Sequence, residues 1–144
     1  MQDEEEGFGL PQISQFSVRR AKKSDMKAIV EMVSLLFPEG SARHLPSDRY
    51  LIAERFGIPV GFCHFRLREK KCYIAGLGVL PQYRNHGVGS QLMAEALNHI
   101  DRHGGQTTFL KVRALNSAAG LYLKYGFFEK RSGDVLVLVR KRPS

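Results

Sequence analysis

Leu77 to Met93 reads LGVLPQYRNHGVGSQLM. The apolar run ending at Pro81 reads as a strand, and Val88 opens a long amphipathic pattern. Between them lies Arg84-Asn85-His86-Gly87-Val88-Gly89-Ser90, a basic turn with two glycines. In the order strand, turn, helix, such a turn aims successive backbone N–H groups and the positive end of a helix dipole at one spot. That spot suits a pyrophosphate. Glycine lets a ligand's oxygens approach the main chain with no Cβ in the way. Arg84 adds a planar donor fork that suits phosphate. Alone, an R-x-x-G-x-G turn joins two elements as readily as it binds an anion, so the flanks decide its meaning.

Upstream, Phe16 to Ala21 reads as a first strand. Ser24 or Asp25 is placed to cap a helix with apolar positions at Met26, Ile29, Val30, Val33, Leu36 and Phe37. Pro38 and Gly40 end it. Glu39 to Ser47 is polar and irregular, with room for one helical turn, and is a natural specificity loop. Tyr50 to Phe56 is a strand, the turn Gly57-Ile58-Pro59 leads to Val60 to Leu67, and Arg68 to Lys71 connects to Cys72 to Leu80. Downstream, Val88, Leu92, Met93, Ala96, Leu97 and Ile100 share one helix face that stops at Gly104-Gly105. Thr107 to Arg113 is a strand, Ser117 to Tyr125 a helix capped by Gly126, and Phe127 to Lys130 pairs with Val135 to Arg140.

Three consecutive strands form an antiparallel meander, while strand–helix–strand demands a parallel pair. The expected fold is therefore α/β: a mixed, mostly antiparallel sheet with helices on both faces and a central β-α-β unit. Residues 1 to 15 are acidic, lack periodicity and are expected to be a mobile arm ahead of a single domain, 16 to 144.

Composition sets limits. The chain is 43% hydrophobic and 25% charged, ordinary for a globular protein. No apolar run approaches the roughly 18 residues of a membrane span, and Asp3-Glu4-Glu5-Glu6 is the opposite of a secretory leader. Cys63 and Cys72 make neither a disulfide framework nor a metal knuckle, so no metal is expected and a reducing cytoplasm is the natural setting. From Gly7 onward the 22 basic groups face ten acidic ones, a field that favours anionic partners. No run of five basic residues and no basic-aromatic cluster marks a nucleic-acid module, so nucleic acid is not expected as a partner. The sequence leaves a homodimer open.

Two motifs give the chain a family likeness. Leu77 to Met93 resembles the strand, Q/R-x-x-G-x-G/A turn and helix of the GNAT superfamily of acetyl-coenzyme-A-dependent N-acetyltransferases. Asn116 to Phe127, NSAAGLYLKYGF, is similar to that family's Asn turn, Leu-Tyr pair and terminal Gly-Phe. The resemblance covers about Ser17 to Arg140. It implies acetyl-CoA as cosubstrate, with Leu77 and Val79 offering main-chain groups to the pantetheine arm as an added strand would. Arg84, Asn85, His86, Gly87, Val88, Gly89 and Ser90 would hold the pyrophosphate, and Asn116 the cofactor arm. The N–H of Val79 would face the oxyanion. Tyr122, at the family's Leu-Tyr position, would protonate the departing thiolate. Tyr125 is the nearby competitor.

The chain departs from the family beside this machinery. Relatives that acetylate ribosomal-protein N-termini carry a Glu in LEVR, where this chain has Lys111. Histone-acetylating relatives place a Glu where this chain has Tyr73. The candidates for receiving the amine's proton are then Tyr73 through water, His64, or Glu39 or Asp48 from the loop. With none of these in play, bulk water takes the proton. A cation at Lys111 would repel a second ammonium and attract a carboxylate or phosphate. The expected acceptor is a primary amine on an acidic molecule: an amino acid, an amino sugar phosphate or a peptide N-terminus. The expected route is direct attack in a ternary complex. A non-catalytic coenzyme-A-binding module of the same fold is the competing expectation.

Overall fold

Along the strands, apolar side chains alternate between two separate cores, so the sheet is covered on both faces. The computed structural model of the 144-residue chain describes residues 15–42, 44–113 and 119–143. Its strands are β1 (Phe16–Arg20), β2 (Asp48–Arg55), β3 (Ile58–Arg66), β4 (Lys71–Val79), β5 (Thr107–Arg113), β6 (Phe128–Arg131) and β7 (Val135–Lys141). Its helices are α1 (Met26–Leu36), α2 (Val88–His103) and α3 (Ala119–Lys124). The strands form one sheet in the order β1-β2-β3-β4-β5-β7-β6. Every neighbouring pair is antiparallel except β4–β5, the parallel pair that α2 bridges. The α/β expectation stands.

On one face, Leu51, Cys63, Phe65 and Cys72 meet the apolar side of α2, with Tyr122 of α3 in the same cluster. The six α2 positions picked out by periodicity are all buried. On the other face, Ile29, Met32 and Val33 of α1 cover Tyr50, Ile52 and Phe62. Two charge clusters pin these layers. Arg19 bonds Asp25 through both Nη atoms (2.7 and 3.0 Å) and Glu54 through Nε (3.0 Å). Arg140 of β7 holds Asp101 of α2 by a two-pronged contact, both bonds 3.0 Å.

Four local expectations change. Asp25 precedes α1 but makes no side-chain cap bond. Its carboxylate accepts the Lys22 N–H and the Arg19 guanidinium instead, whose hydrogen bonds hold it near a pKa of about 2. In α1, Met32 is buried while Val30 is 44% exposed, because the helix presents a narrower face than its apolar content suggests. The β2–β3 turn is Phe56-Gly57, both at positive φ (49° and 80°), not Gly57-Ile58-Pro59. Pro59 sits inside β3 opposite Glu54, where the register slips and a missing N–H is tolerated. The described part of Glu39 to Ser47 holds turns and no helix. Residues 1–14 of the expected N-terminal arm, Asn116 and the start of the third helix lie outside the described residues. No described helix is long and apolar enough to cross a membrane.

Candidate active site

The turn between β4 and α2 has the conformation its glycines foretell. After a short 3₁₀ turn, Pro81–Tyr83, Arg84 is extended, and Asn85 (φ 65°) and Gly87 (φ 83°) are left-handed. Gly87 is the N-cap of α2, and its carbonyl accepts the N–H of Gln91 at 3.0 Å. The N–H groups of Val88, Gly89 and Ser90 therefore belong to a first turn with no carbonyl four residues back inside the helix. Arg84 donates Nε to the Val79 carbonyl (2.9 Å), which fixes its fork beside the turn. His86 donates Nδ1–H to the Arg84 carbonyl (2.8 Å), and its ring stands 6.1 Å from that of Phe16. The His86 side chain thus braces the turn, and it is not among the residues lining the cleft.

Beside the turn, β4 and β5 separate. They pair only from Lys71–Thr107 to Ile74–Leu110, while β4 runs on to Val79 and β5 on to Arg113 beside β7. The main chain of β4 beyond Ile74 faces a gap. Leu80 gives its N–H to Val60 of β3 (2.9 Å), so by the alternation of an antiparallel ladder the N–H of Val79 points away from β3, into that gap. Leu77, two residues back, shares the orientation.

A cleft of about 510 Å³ opens here. Leu77, Val79, Arg84, Asn85, Gly87, Val88, Gly89, Ser90 and Tyr122 all line it, so nine of the residues singled out in the sequence converge. Its described lining carries no carboxylate. Leu36 and Phe37, apolar positions at the end of α1, form one wall. They come this close because Gly78 has no side chain: a Cβ there would lie 2.8 Å from both Leu36 Cδ1 and Phe62 Cε1.

Tyr122 of α3 and Tyr125, in the turn after it, divide their work. Tyr125 donates its hydroxyl to the Ser90 carbonyl (2.9 Å), tying α3 to the first turn of α2. Tyr122 is buried against Phe127 and lines the cleft. Burial, reinforced by Cys63, pushes its phenol up to about 12, so it holds its proton at neutral pH. The cysteines are poor nucleophiles. Burial pushes the Cys63 thiol up to about 12 and also raises that of Cys72.

A second cleft, about 420 Å³, lies on the face that carries Tyr73, Ala75, Phe109 and Lys111. Tyr73 and Phe109 stack at 5.6 Å, with Arg68 over the first ring (5.9 Å) and Lys130 over the second (5.5 Å). Arg66, Lys71 and Lys111 bring the remaining charges, and no carboxylate is among the described lining residues. His64 lines neither cleft. It is buried, stacked on Tyr50 at 4.3 Å, and bonded to Asp48 at 2.8 Å. Burial alone would raise the Asp48 carboxyl. Hydrogen bonds from the Leu45 N–H, His64 and Arg66 outweigh it and hold the pKa at about 2. Asp48 therefore stays ionised at neutral pH, a fixed anion rather than a proton acceptor. Glu39 is exposed and lines neither cleft.

Residues 18–127 match the family model for the acetyltransferase (GNAT) family. The chain belongs to that family. Membership makes it an acyltransferase of the N-acetyltransferase type, and the cleft beside the Arg84–Ser90 turn is this GNAT chain's donor-side candidate. Among curated relatives, it is 27% identical over 136 residues to an N-alpha-acetyltransferase of Sulfurisphaera tokodaii, covering 80% of this chain and 81% of that one. It is 31% identical over 93 residues to the ribosomal protein bS18-alanine N-acetyltransferase of Haemophilus influenzae, covering 62% and 63%. Among solved structures, the ribosomal-protein-S18-alanine N-acetyltransferase of Escherichia coli superposes with a TM-score of 0.78 at 17% identity, over 90% of this chain and 95% of that one. Arabidopsis thaliana Naa50, solved with the bisubstrate analogue CoA-Ac-MVNAL, gives 0.74 at 22% identity, over 88% and 99%.

Proposed function

We propose that this GNAT chain transfers acetyl from acetyl-CoA to the α-amine of a peptide N-terminus or other small acceptor that carries a carboxylate or phosphate near the amine. One observation carries the reading: the gap between β4 and β5 separates a carboxylate-free cleft at a phosphate-suited turn from a second cleft whose charges are all positive. The first-turn N–H groups of Val88 to Ser90 and the fork of Arg84 would hold the pyrophosphate. Leu77 and Val79 would pair with pantetheine amides along the open edge of β4. Acetyl-CoA supplies an activated thioester.

The N–H of Val79 would then stabilise the oxyanion as the amine attacks. Tyr122, protonated at neutral pH, would donate to the leaving thiolate, a fair leaving group at a free pKa of about 8.5. Tyr73 would pass the amine's proton to water, since the Lys111 position supplies no carboxylate. Attack is direct, because both buried thiols resist ionisation. Lys111 and Lys71 would favour an acidic acceptor over a polyamine. The names of the curated relatives point to α-amines. Thiol release across a panel of acidic peptides, amino acids, an amino sugar phosphate and spermidine tests this: acidic acceptors should lead, and spermidine as best acceptor would refute it. Lys111 at the base position also favours a second reading, coenzyme A binding without catalysis, which predicts tight coenzyme A binding and no thiol release with any amine.

A further inference from the structure

A third concavity lies at the opposite end of α2 from the donor turn. It measures about 300 Å³ and sits where the last turns of α2 meet β1, β2 and β3. Arg20 reaches it from β1, Arg49 from β2, and His99, Arg102 and His103 from α2, over the buried ring of Phe65. Basic residues in the last turn of a helix complement its dipole, which explains Arg102 and His103. It does not explain Arg20 and Arg49. The β1–β2 register sets Arg20 opposite Leu51, so Arg49 stands two residues along the neighbouring strand and on the same face.

Elsewhere three arginines are neutralised by carboxylates: Arg19 with Asp25 and Glu54, Arg66 with Asp48, Arg140 with Asp101. Among the described residues, none of the five groups at this concavity forms an ion pair. Arg49 gives one nitrogen to the carbonyls of Pro46 and Asp48 (2.7 and 3.0 Å), which adds no negative charge. The convergence is felt at His99, whose pKa is lowered by burial, by Arg102 and by Arg20, with only Glu95 pulling the other way. Arg20, Arg49 and Arg102 come from three elements, no carboxylate lines the concavity, and a bound anion would relieve their mutual repulsion.

We infer that this concavity is a second anion site, distinct from the donor cleft, that takes a phosphate-bearing small molecule. Arginine forks from separate elements match phosphate geometry. A volume at the low end of small-molecule pockets suits one or two phosphate groups rather than an extended polymer. The 16 residues of α2 put it roughly 24 Å from the donor turn at 1.5 Å per residue. An anion here stabilises imidazolium, so binding must raise the His99 titration midpoint. Arg20, Arg49, Arg102, His103 and Glu95 are the charged or titratable groups in play around that ring.

The test is titration of the full-length protein with inorganic pyrophosphate at fixed ionic strength, followed by the imidazole proton resonances of His99 and His86. His86 reports the donor turn separately, so failure of the donor reading would appear at its resonance and not at that of His99. The expected result is one saturable shift at His99, an upward move of its midpoint, and affinity at least tenfold weaker in Arg20→Gln/Arg102→Gln. Arg20→Lys should recover part of that loss, and Arg84→Ala should change nothing at His99. If the double variant unfolds, Arg102→Gln alone, at an exposed position, carries the comparison with a smaller loss. A His99 resonance that stays put while His86 moves overturns the inference. So does equal affinity in the Gln variants.

Discussion

The two clefts on either side of the β4–β5 gap are built from different materials. The proposed donor side is mostly backbone: orphan N–H groups at the start of α2, the open edge of β4, left-handed Asn85 and Gly87, and Gly78 allowing α1 to close in. The proposed acceptor side is mostly side chain: stacked Tyr73 and Phe109 ringed by lysines and arginines. Backbone recognition depends on where the chain goes and leaves a signature of glycines and spacing. Side-chain recognition depends on which residue occupies an exposed position, and it can be rewritten without moving a strand. On the proposed reading, substitutions on the donor side should damage folding or turnover, and those on the acceptor side should redirect choice.

The largest effect is expected at Gly78. Valine there must displace Leu36 and Phe62, and overpacking of this kind costs on the order of 3 kcal/mol. Urea unfolding should show the loss, and a variant as stable as the parent would mean that the α1 wall is loosely held.

Tyr122→Phe should cut kcat about 100-fold while leaving the KM for acetyl-CoA within a factor of about three, a general-acid signature. Because the phenol is raised to about 12, its donor form persists through pH 9 and 10, so Tyr122 should not produce an alkaline fall in kcat in that range. Unchanged kcat in Tyr122→Phe would end the assignment.

Asp48 tests the acceptor side's foundation. Its folded pKa of about 2 lies below the ordinary 3.8. Its contribution is present above pH 4 and lost as pH falls through 2. The linked stabilisation is on the order of 2 kcal/mol. Asp48→Asn should lower stability at pH 7 and flatten the acid limb between pH 4 and 2. An acid limb identical to that of the parent would show that His64 and Arg66 do not stabilise the ionised carboxylate. Tyr125→Phe should give the smallest change: about 1 kcal/mol of stability from one lost bond to Ser90, with kcat within twofold.

Much of the proposed donor side is legible in the sequence. The α2 positions repeat at helical spacing and are all buried, and Gly87 and Gly104 stand at positive φ where the helix was expected to begin and end. Local rules govern such features. The Phe56-Gly57 turn was missed because a phenylalanine at positive φ has no sequence signal. Leu36 and Phe37 stand in the sequence only as apolar helix positions, because periodicity finds an apolar face, not the end of it that overhangs a cleft. Asp48 was read as a loop acid free to take a proton. Its hydrogen bonds come from Leu45, His64 and Arg66, and strand register alone brings the last two together with it. The second anion site was invisible for the same reason, since its arginines and histidines lie on three elements spread from Arg20 to His103.

The central claim is that donor recognition and acceptor choice reside in separable clefts. Steady-state kinetics of Lys111→Glu, with an acidic peptide and with spermidine as acceptors, tests it most directly. The account predicts at least a tenfold rise in KM for the acidic peptide, a gain in kcat/KM for spermidine, and a KM for acetyl-CoA within twofold of the parent. An unchanged ratio of kcat/KM between the two acceptors, or an acetyl-CoA KM that rises in step with the peptide's, would contradict it.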